Sequence, residues 1–321
     1  MPGQRTERSP VTELLSVVIP THNRPDRLAE AVRSVLDQDY RSLEIVVVDD
    51  GSGPSTAEVL DRLTSEDDRV VALRNDESLG ASAARNRGVG VARGELVGFC
   101  DDDDLWLPGA ARAVVNLLGP DVGMVYGQHQ RLIEHSGRLV TYRPPAGADA
   151  ELMRWINVLG TCFGVARRDR VGDQLHFDTD LITSEDWDMW LRCAEVAPMR
   201  LVPSPLYRYI QHGDERITTL PTSYAEGYHR FLAKHRTSMT PACIAHHELT
   251  FALATHDRDR VLTQLRHGLR RPSILGAGVM VGAEVAAGRR GRHTGDPGFP
   301  LRVAATFLDV TPSRRRSTRR G

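Results

Sequence analysis

The sequence predicts an α/β fold, in which a mostly parallel mixed sheet is flanked by helices and followed by a helical C-terminal extension. Two observations carry this prediction. Continuous apolar runs alternate with helix-like segments through the first half of the chain, and each run stops at polar residues. Strands buried on both faces read as unbroken apolar runs, and helices between them supply the crossovers that parallel strands need. From Tyr224 onward the patterns are helical.

The first strand and helix show the alternation most clearly. Residues 14–19 form an apolar run that ends at Pro20, and apolar residues then recur at helical spacing behind Pro25, a residue favoured in a first helical turn. The same alternation predicts further strands over 43–48, 70–73 and 95–100, and helices around 59–63 and over 81–92. We therefore expect four parallel strands with helices between them.

After Pro108 the predicted order of elements becomes mixed. A helix runs to Leu118, and two strands flank Ser136-Gly137 as a hairpin, over 124–132 and 139–142. Three further short strands and one more helix complete this part of the chain. The strands are expected over 162–166, 200–202 and 206–210, and the helix begins near Asp186.

The chain is predicted to consist of four segments. Residues 1–13 are a polar, disordered tail and 14–215 are the α/β domain. Residues 216–310 are mainly helical, and 311–321 are a basic disordered tail without apolar periodicity. The N-terminus lacks the apolar core of a signal peptide, so a cytoplasmic location is expected.

A late apolar stretch, residues 274–287, bears on membrane attachment. Glu284 interrupts it, and it is shorter than the roughly 20 residues that a helix needs to cross a bilayer, so no transmembrane helix is expected. Arginine pairs flank the stretch at 270–271 and 289–290. They raise the hypothesis of a peripheral contact at the inner face of a membrane, although an ordinary surface helix has the same pattern.

The composition excludes several classes of function. The formal net charge is -1, so no overall positive field favours nucleic acid as a partner. The 4 cysteines form no C-x-x-C pair, which argues against a zinc ribbon or a redox pair. Lys234 is the only lysine of the chain. No G-x-x-x-x-G-K-[ST], H-E-x-x-H or G-x-S-x-G motif occurs, which removes common ATPase, metalloprotease and serine-hydrolase classes.

Polar clusters follow three of the predicted strands. They are residues 20–24 (Pro-Thr-His-Asn-Arg), 49–52 (Asp-Asp-Gly-Ser) and 101–104, which are four consecutive aspartates. Because ligands of open parallel sheets bind beyond the carboxyl ends of the strands, we expect these clusters to share one binding site.

The four aspartates Asp101 to Asp104 point to a metal ion. Adjacent carboxylates repel one another beside a buried strand unless a cation or hydrogen-bond donors offset their charge. Hard oxygen ligands suit Mg²⁺ or Mn²⁺, which complete their coordination with water and substrate phosphates. A nucleoside diphosphate would match such a site. A solvated acidic turn before the next helix remains the alternative.

Two clusters have both a structural and a functional interpretation. Asp50 could belong to an ordinary turn, or it could accept hydrogen bonds from a nucleobase ring. Arg85 and Asn86 could contact a diphosphate, or they could form a surface salt bridge.

A second acidic site is predicted at the start of a helix. Thr183 and Asp186 have the spacing of a capping box, and a carboxylate held there in its ionised form could also act as a general base. His212 could reach a metal ion or a diphosphate, although a lone histidine is more often structural.

Taken together, the motifs resemble those of family 2 glycosyltransferases, which have the Rossmann-like GT-A fold. The resemblance covers residues 14–211. It is carried, in family order, by Val-Val-Ile-Pro-Thr-His-Asn-Arg at 17–24, Val-Val-Val-Asp-Asp-Gly-Ser at 46–52, Ala-Arg-Asn at 84–86, Cys-Asp-Asp-Asp-Asp-Leu-Trp-Leu-Pro at 100–108 and Glu-Asp at 185–186. Two departures are Asp102, where the family usually has a small residue, and Cys100, where it has an aliphatic one.

The resemblance implies a role for each candidate residue. Thr21, Asn23, Asp50 and Arg85 would bind the nucleotide, with Asp50 at the base and Arg85 near the diphosphate. Asp101 or Asp102 would lie near the ribose. By the resemblance Asp103 would be the metal ligand, and His212 is the second expected ligand because of its own position after Tyr209. Asp186 would be the catalytic base.

The resemblance also implies an inverting, metal-dependent transfer from a nucleotide sugar to an acceptor hydroxyl, in the synthesis of a cell-surface polysaccharide, glycolipid or glycoconjugate. The expected donor is a UDP-sugar, and the acceptor is a saccharide, a lipid-linked molecule or a small molecule. Two alternatives stay open: a protein that binds nucleotide sugars without turnover, and a nucleotidyltransferase. The latter lacks support because no glycine-rich basic loop follows the first strand.

Overall fold

A computed structural model describes residues 13–212 and 221–254. Its sheet begins with four parallel strands: β1 (Leu15–Thr21), β2 (Leu43–Asp50), β3 (Val70–Asn75) and β4 (Leu96–Phe99). They lie in the order β3-β2-β1-β4. Every residue of β1 and β2 is buried, which explains why both strands read as unbroken apolar runs.

Helices α1 (Pro25–Leu36), α2 (Pro54–Glu66) and α3 (Ala81–Val91) connect these strands. Helix α3 lies unusually close to the sheet, because a Cβ atom on Gly88 would meet a methyl group of Val18 at 2.4 Å. Gly88 therefore serves helix–sheet packing. The close contact places the face of α3 that carries Arg85 at the carboxyl ends of the strands.

The sheet continues beyond β4 through strands of mixed direction. They are β5 (Asp104–Trp106), β6 (Met124–Ile133), β7 (Arg138–Tyr142), β8 (Gly164–Arg167) and β9 (Met199–Gln211). The order is β4-β8-β6-β9-β5, with β7 paired to β6. β6 and β9 are parallel, whereas β8 pairs antiparallel with both β4 and β6.

The sheet must curl, because β4 and β5 follow each other in sequence but are separated by three strands. In a flat sheet they would lie roughly 19 Å apart. Residues 100–103 connect them, and the chain turns there, since the Asp104 N–H donates to the Asp101 carbonyl at 3.1 Å. The curl therefore brings the acidic turn, the end of β1 and the end of β9 together.

Six more helices complete the described part of the chain. They are α4 (Ala110–Leu117), α5 (Ala150–Trp155), α6 (Arg168–Val171), α7 (Glu185–Val196), α8 (Pro221–His235) and α9 (Pro241–Ala254). Helices α8 and α9 pack on α7 and α5, and the buried aromatic residues Trp187, Tyr228 and Phe231 share the main hydrophobic core.

The predicted fold class is confirmed, including helices at the start of the C-terminal region, but some details of the prediction are wrong. The two strands expected over 200–202 and 206–210 are one strand, β9, whose register against β6 shifts near the two prolines that interrupt its sequence pattern. Cys162 lies in a 3₁₀ turn and not in a strand. Apart from Glu13, which pairs with Arg167, the predicted tails and the apolar stretch 274–287 lie outside the described residues.

Candidate active site

A cavity of about 470 Å³ opens at the carboxyl ends of the parallel strands, a volume within the range of small-molecule sites. Its walls include the ends of β1 and β2, the four aspartates after β4, the loop 157–163 and the start of α7. The three predicted clusters therefore share one site with the Glu185-Asp186 pair.

Asp102 and Asp103 form the acidic centre of the cavity. The Thr21 hydroxyl donates to Asp102 at 2.8 Å, and one nitrogen of the Arg24 guanidinium reaches Asp102 at 3.1 Å and Asp103 at 2.9 Å. Burial and the Asp103 charge raise the pKa of Asp102 to about 6, although Arg24 and Thr21 oppose the shift. A further cation would therefore stabilise the ionised carboxylates of this centre.

Asp103 and His212 come together although 109 residues separate them in sequence. His212 Nε2 lies 2.8 Å from the Asp103 carboxylate, and the His212 side chain is buried. Two atoms that share one Mg²⁺ or Mn²⁺ ion lie about 3 Å apart, since each is about 2.1 Å from the metal. The two predicted ligands therefore fit a divalent cation, with the open cavity available for water and phosphate oxygens.

A second group of possible ligands lies beside this pair. Asp101, Asp104 and Cys162 each offer one atom within 4.8 Å of the others. Burial raises the pKa of the Cys162 thiol, and a protonated thiol is a poor ligand for a hard cation. Asp101 pairs with Arg85, and Asp104 accepts a hydrogen bond from the Ile210 N–H at 3.2 Å. Asp103 and His212 thus fit Mg²⁺ or Mn²⁺ better.

Arg85 links the acidic turn after β4 to the start of α7. Its guanidinium lies 2.7 Å from Asp101 and 3.4 Å from Glu185, and it packs over the Phe177 ring at 5.3 Å. Burial lowers the pKa of Arg85, but the Asp101 and Glu185 charges outweigh that effect and raise it above its usual value. Arg85 lines the cavity, whereas Asn86 bonds both polar groups of the Phe177 backbone and is not among the lining residues. The contact of Arg85 with a diphosphate stays a prediction.

Asp50 is buried at the end of β2, where hydrogen-bond donors from residues 75–80 surround its carboxylate. The donors are Asn75 Nδ2 at 2.6 Å, the Ser78 hydroxyl at 2.7 Å, the Leu79 N–H at 3.0 Å and the Gly80 N–H at 2.8 Å. Burial would raise the pKa of Asp50, but these bonds outweigh it and hold the pKa below its ordinary value. Asp50 therefore fixes the loop that forms this wall.

Asn23 also fastens a loop. Its side-chain oxygen accepts from the Gly53 N–H at 2.8 Å, and its backbone N–H donates to the Ser52 hydroxyl at 2.9 Å. Its backbone is left-handed, with φ 55°, a conformation that asparagine adopts more readily than most residues. Asn23 is not among the residues that line the cavity. Its predicted contact with a nucleotide stays a prediction.

Asp186 lies in the first turn of α7 and faces the cavity. The predicted capping box is wrong: Ser184 is the N-cap residue, its backbone is left-handed with φ 64°, and its side chain makes no capping bond. Asp186 Oδ1 accepts from the Trp187 N–H at 2.6 Å and lies 3.4 Å from the Asn157 side-chain amide. Burial and the neighbouring Asp186 charge raise the pKa of Glu185 to about 7.

Arg24, Asn157 and Cys162 are among the residues that line the cavity without a role assigned from the sequence. Arg24 is the one of these that the sequence could have identified as a site residue. It ends the polar cluster after β1 and is a basic residue that would face an acidic run. Asn157 and Cys162 follow no strand-end pattern. Only the fold of the loop 157–163 against α7 and β4 brings them to the cavity.

Comparison with known proteins identifies the class. Residues 16–170 match the model of glycosyl transferase family 2. WcaA of Escherichia coli K12, whose name assigns it to glycosyl transfer in colanic acid biosynthesis, is 29% identical over 243 residues, which are 70% of this chain and 81% of WcaA. The chain belongs to glycosyl transferase family 2.

Two solved structures share the fold. One is the mannosyltransferase PcManGT from Pyrobaculum calidifontis in complex with GDP-Man and Mn²⁺, with a TM-score of 0.59, 21% identity, and coverage of 92% of this chain and 86% of that one. The other is Staphylococcus aureus TarS 1-349 in complex with UDP-GlcNAc, with a TM-score of 0.61, 16% identity, and coverage of 82% and 79%. The protein is a glycosyltransferase with the GT-A fold. Within the described residues, no helix is both long and apolar enough to cross a membrane.

Proposed function

We propose that this protein moves a sugar from a nucleoside diphosphate sugar to an acceptor hydroxyl, with inversion at the anomeric carbon and with Asp186 as the base. One observation carries the proposal: a single cavity is lined by the acidic centre on one wall and by the Glu185-Asp186 pair on another. The first wall suits a diphosphate with its cation, and the second suits an acceptor that must lose a proton.

The donor would lie along the ends of β1, β2 and β4. Thr21 and the loop fixed by Asp50 would form the base pocket, and Asp101 or Asp102 would face the ribose. Arg85 is close enough to Asp101 to balance charge at the diphosphate side of the cavity. Arg24, which already pairs with both Asp102 and Asp103, would supply a second positive charge there.

Asp103 and His212 would hold a Mg²⁺ or Mn²⁺ ion, because their ligand atoms converge on one point beside the open cavity. When bound, such an ion supplies Lewis-acid stabilisation of the negative charge on a leaving diphosphate. The protein's own contribution is to place Asp103 beside the positive charge of Arg24 and to exclude bulk water around a buried histidine.

The transfer would be a single displacement. The acceptor oxygen forms a bond to the anomeric carbon while the bond from that carbon to the diphosphate oxygen breaks, and the electron pair of the broken bond leaves with the diphosphate. The acceptor proton passes to the Asp186 carboxylate. Attack from the side opposite the leaving group inverts the configuration at carbon.

A UDP-sugar is the donor that we expect, and GDP is the competing possibility because PcManGT binds GDP-Man. The acceptor would be a saccharide or a lipid-linked molecule. If the acceptor is lipid-linked, a peripheral contact with the inner membrane face would serve the reaction. Co-sedimentation with anionic liposomes, with the full chain, tests that contact.

Thermal stabilisation by a panel of UDP-, GDP- and dTDP-sugars, with and without Mn²⁺, would identify the donor. Asp103→Asn should then abolish Mn²⁺-dependent stabilisation by that donor. Asp186→Asn should keep it and lower the release of nucleoside diphosphate by about 10³-fold, the range of a lost general base. Full turnover in Asp186→Asn would overturn the proposed base. If donors stabilise the native protein but none is turned over, the protein binds nucleotide sugars without transferring them.

A further inference from the structure

Helix α8 touches the backbone of the turn that leads into α7. A Cβ atom on Gly227 would lie 2.2 Å from the Thr183 hydroxyl oxygen, 2.6 Å from its carbonyl oxygen and 2.7 Å from its nitrogen. Thr183 directly precedes Ser184, the left-handed residue at the start of α7. Any side chain at position 227 would therefore push on the turn two residues before Glu185.

The same helix packs on the residue that follows Asp186. The Trp187 indole is stacked on Phe231 with ring centroids 4.3 Å apart, and it lies 6.0 Å from Tyr228. The indole N–H also donates to the Met153 carbonyl at 2.6 Å. Because Asp186 accepts a hydrogen bond from the Trp187 N–H, a fixed Trp187 also fixes this carboxylate.

A buried ionic cluster holds α8 to α7 one residue further on. Asp188 is fully buried and lies 2.8 Å from His235 Nε2, 2.9 Å from Lys234 Nζ and 2.9 Å from Arg192. Lys234, the only lysine of the chain, also reaches Asp178 at 2.6 Å. A buried carboxylate is costly unless it is paired, and Arg192 lies on α7 itself, so Lys234 and His235 of α8 make the contact between the two helices specific in register.

The three contacts fall at residues 183, 187 and 188, on both sides of Asp186. We infer that α8 is a positioning element of the active site, which holds the Asp186 carboxylate toward the acceptor through Gly227, Phe231 and Lys234. The inference rests on the proposed role of Asp186, and it concerns a helix beyond the region that matches the family model, residues 16–170.

Replacement of Gly227 by alanine displaces the turn before α7, because the added Cβ would lie 2.6 and 2.7 Å from backbone atoms of Thr183. This clash opposes the helix preference for alanine over glycine, which is about 1 kcal/mol, so turnover and nucleotide affinity are measured separately from stability. If α8 positions Asp186, Gly227→Ala lowers turnover at least tenfold, because small misplacements of a catalytic group are costly. The affinity for Mn²⁺ with UDP or GDP, measured by calorimetry, should stay within twofold.

Gly90→Ala is the matched control, since Gly90 is also in a helix and no atom lies within 4 Å of its added Cβ. It should leave turnover unchanged. A second pair of variants guards against misfolding of Gly227→Ala. Lys234→Met should lower kcat without raising the donor KM, and Lys234→Arg, which keeps the positive charge, should restore most of the loss.

Three outcomes decide the inference. Native kcat in both Gly227→Ala and Lys234→Met, beside an inactive Asp186→Asn, would overturn the role of α8 and leave the proposed function intact. A parallel fall of turnover and nucleotide affinity would show general unfolding and would also overturn it. Full activity of Asp186→Asn would instead remove the proposed base.

Discussion

Two acidic residues on opposite walls of the cavity, Asp50 and Glu185, have opposite environments. Asp50 is surrounded by donors from residues 75–80, and its pKa is held below the ordinary value. Glu185 is partly buried beside Asp186, with the Arg85 guanidinium at 3.4 Å, and its pKa is raised to about 7. We call the wall at the ends of β1, β2 and β4 the donor wall and the wall at the start of α7 the α7 wall. The donor wall is preorganised around a stable anion. The α7 wall keeps a group that can exchange a proton near neutral pH.

Removing the charge of Asp50 should have the largest effect on stability. Asp50→Asn replaces one acceptor oxygen by a donor that faces buried N–H groups, so we expect the free energy of unfolding to fall by about 3 kcal/mol in urea at pH 7. The difference should shrink as the pH falls, because a lowered pKa gives stability that is present above about pH 4 and lost below it. The control is Asp61→Asn, on the exposed face of α2. An unchanged free energy for Asp50→Asn would contradict the preorganised donor wall.

Neutralising Glu185 should raise the free energy of unfolding, by less than Asp50→Asn lowers it. A raised pKa means that the native protein loses stability as the pH rises through about 7. Glu185→Gln mimics the protonated form of the carboxyl group. Its free energy of unfolding should equal that of the native protein at acid pH and exceed it above pH 8, by an amount on the order of 2 kcal/mol. Thermal unfolding across this range measures the difference, with exposed Glu66→Gln as control. Parallel pH curves for Glu185→Gln and the native protein would argue against a titrating Glu185.

A substitution at Ser184, in the turn before Glu185, should change the free energy of unfolding least. Ser184 is left-handed with φ 64° and makes no capping bond, so glycine relieves strain there without losing a contact. We expect Ser184→Gly to raise the free energy of unfolding by about 0.5 kcal/mol, whereas Ala83→Gly, within α3, should lower it by about 1 kcal/mol. Equal losses in both variants would show that the α7 wall stores no strain at this turn.

The donor wall could be predicted from the sequence because local rules determine it. Parallel strands bury both faces, so their apolar runs and polar ends are visible without knowledge of distant contacts. Thr21, Asp50 and the aspartates 101–103 line the cavity, as their positions at strand ends led us to expect, and Arg85 lines it from α3. What each carboxylate does there depends on neighbours that the local pattern does not show.

The α7 wall depends on long-range contacts, and there the sequence was less informative. Spacing alone suggested a capping box at Thr183 and Asp186, but Gly227 of α8 packs against Thr183, and Ser184 becomes the cap. Two separate strands were predicted over 200–202 and 206–210, yet β9 continues through Pro203 and Pro205 with a shift of its register against β6. At both positions tertiary packing determined the structure against the local sequence preference.

The pairing of β5 with β9 also has a consequence for the timing of synthesis. Asp104 pairs with Tyr209, and His212 follows immediately after β9. The acidic turn at 101–103 leaves the ribosome about a hundred residues before the strand that anchors it. A nascent chain can therefore pair its parallel strands early, but Asp103 and His212 come together only after residue 212 has been synthesised.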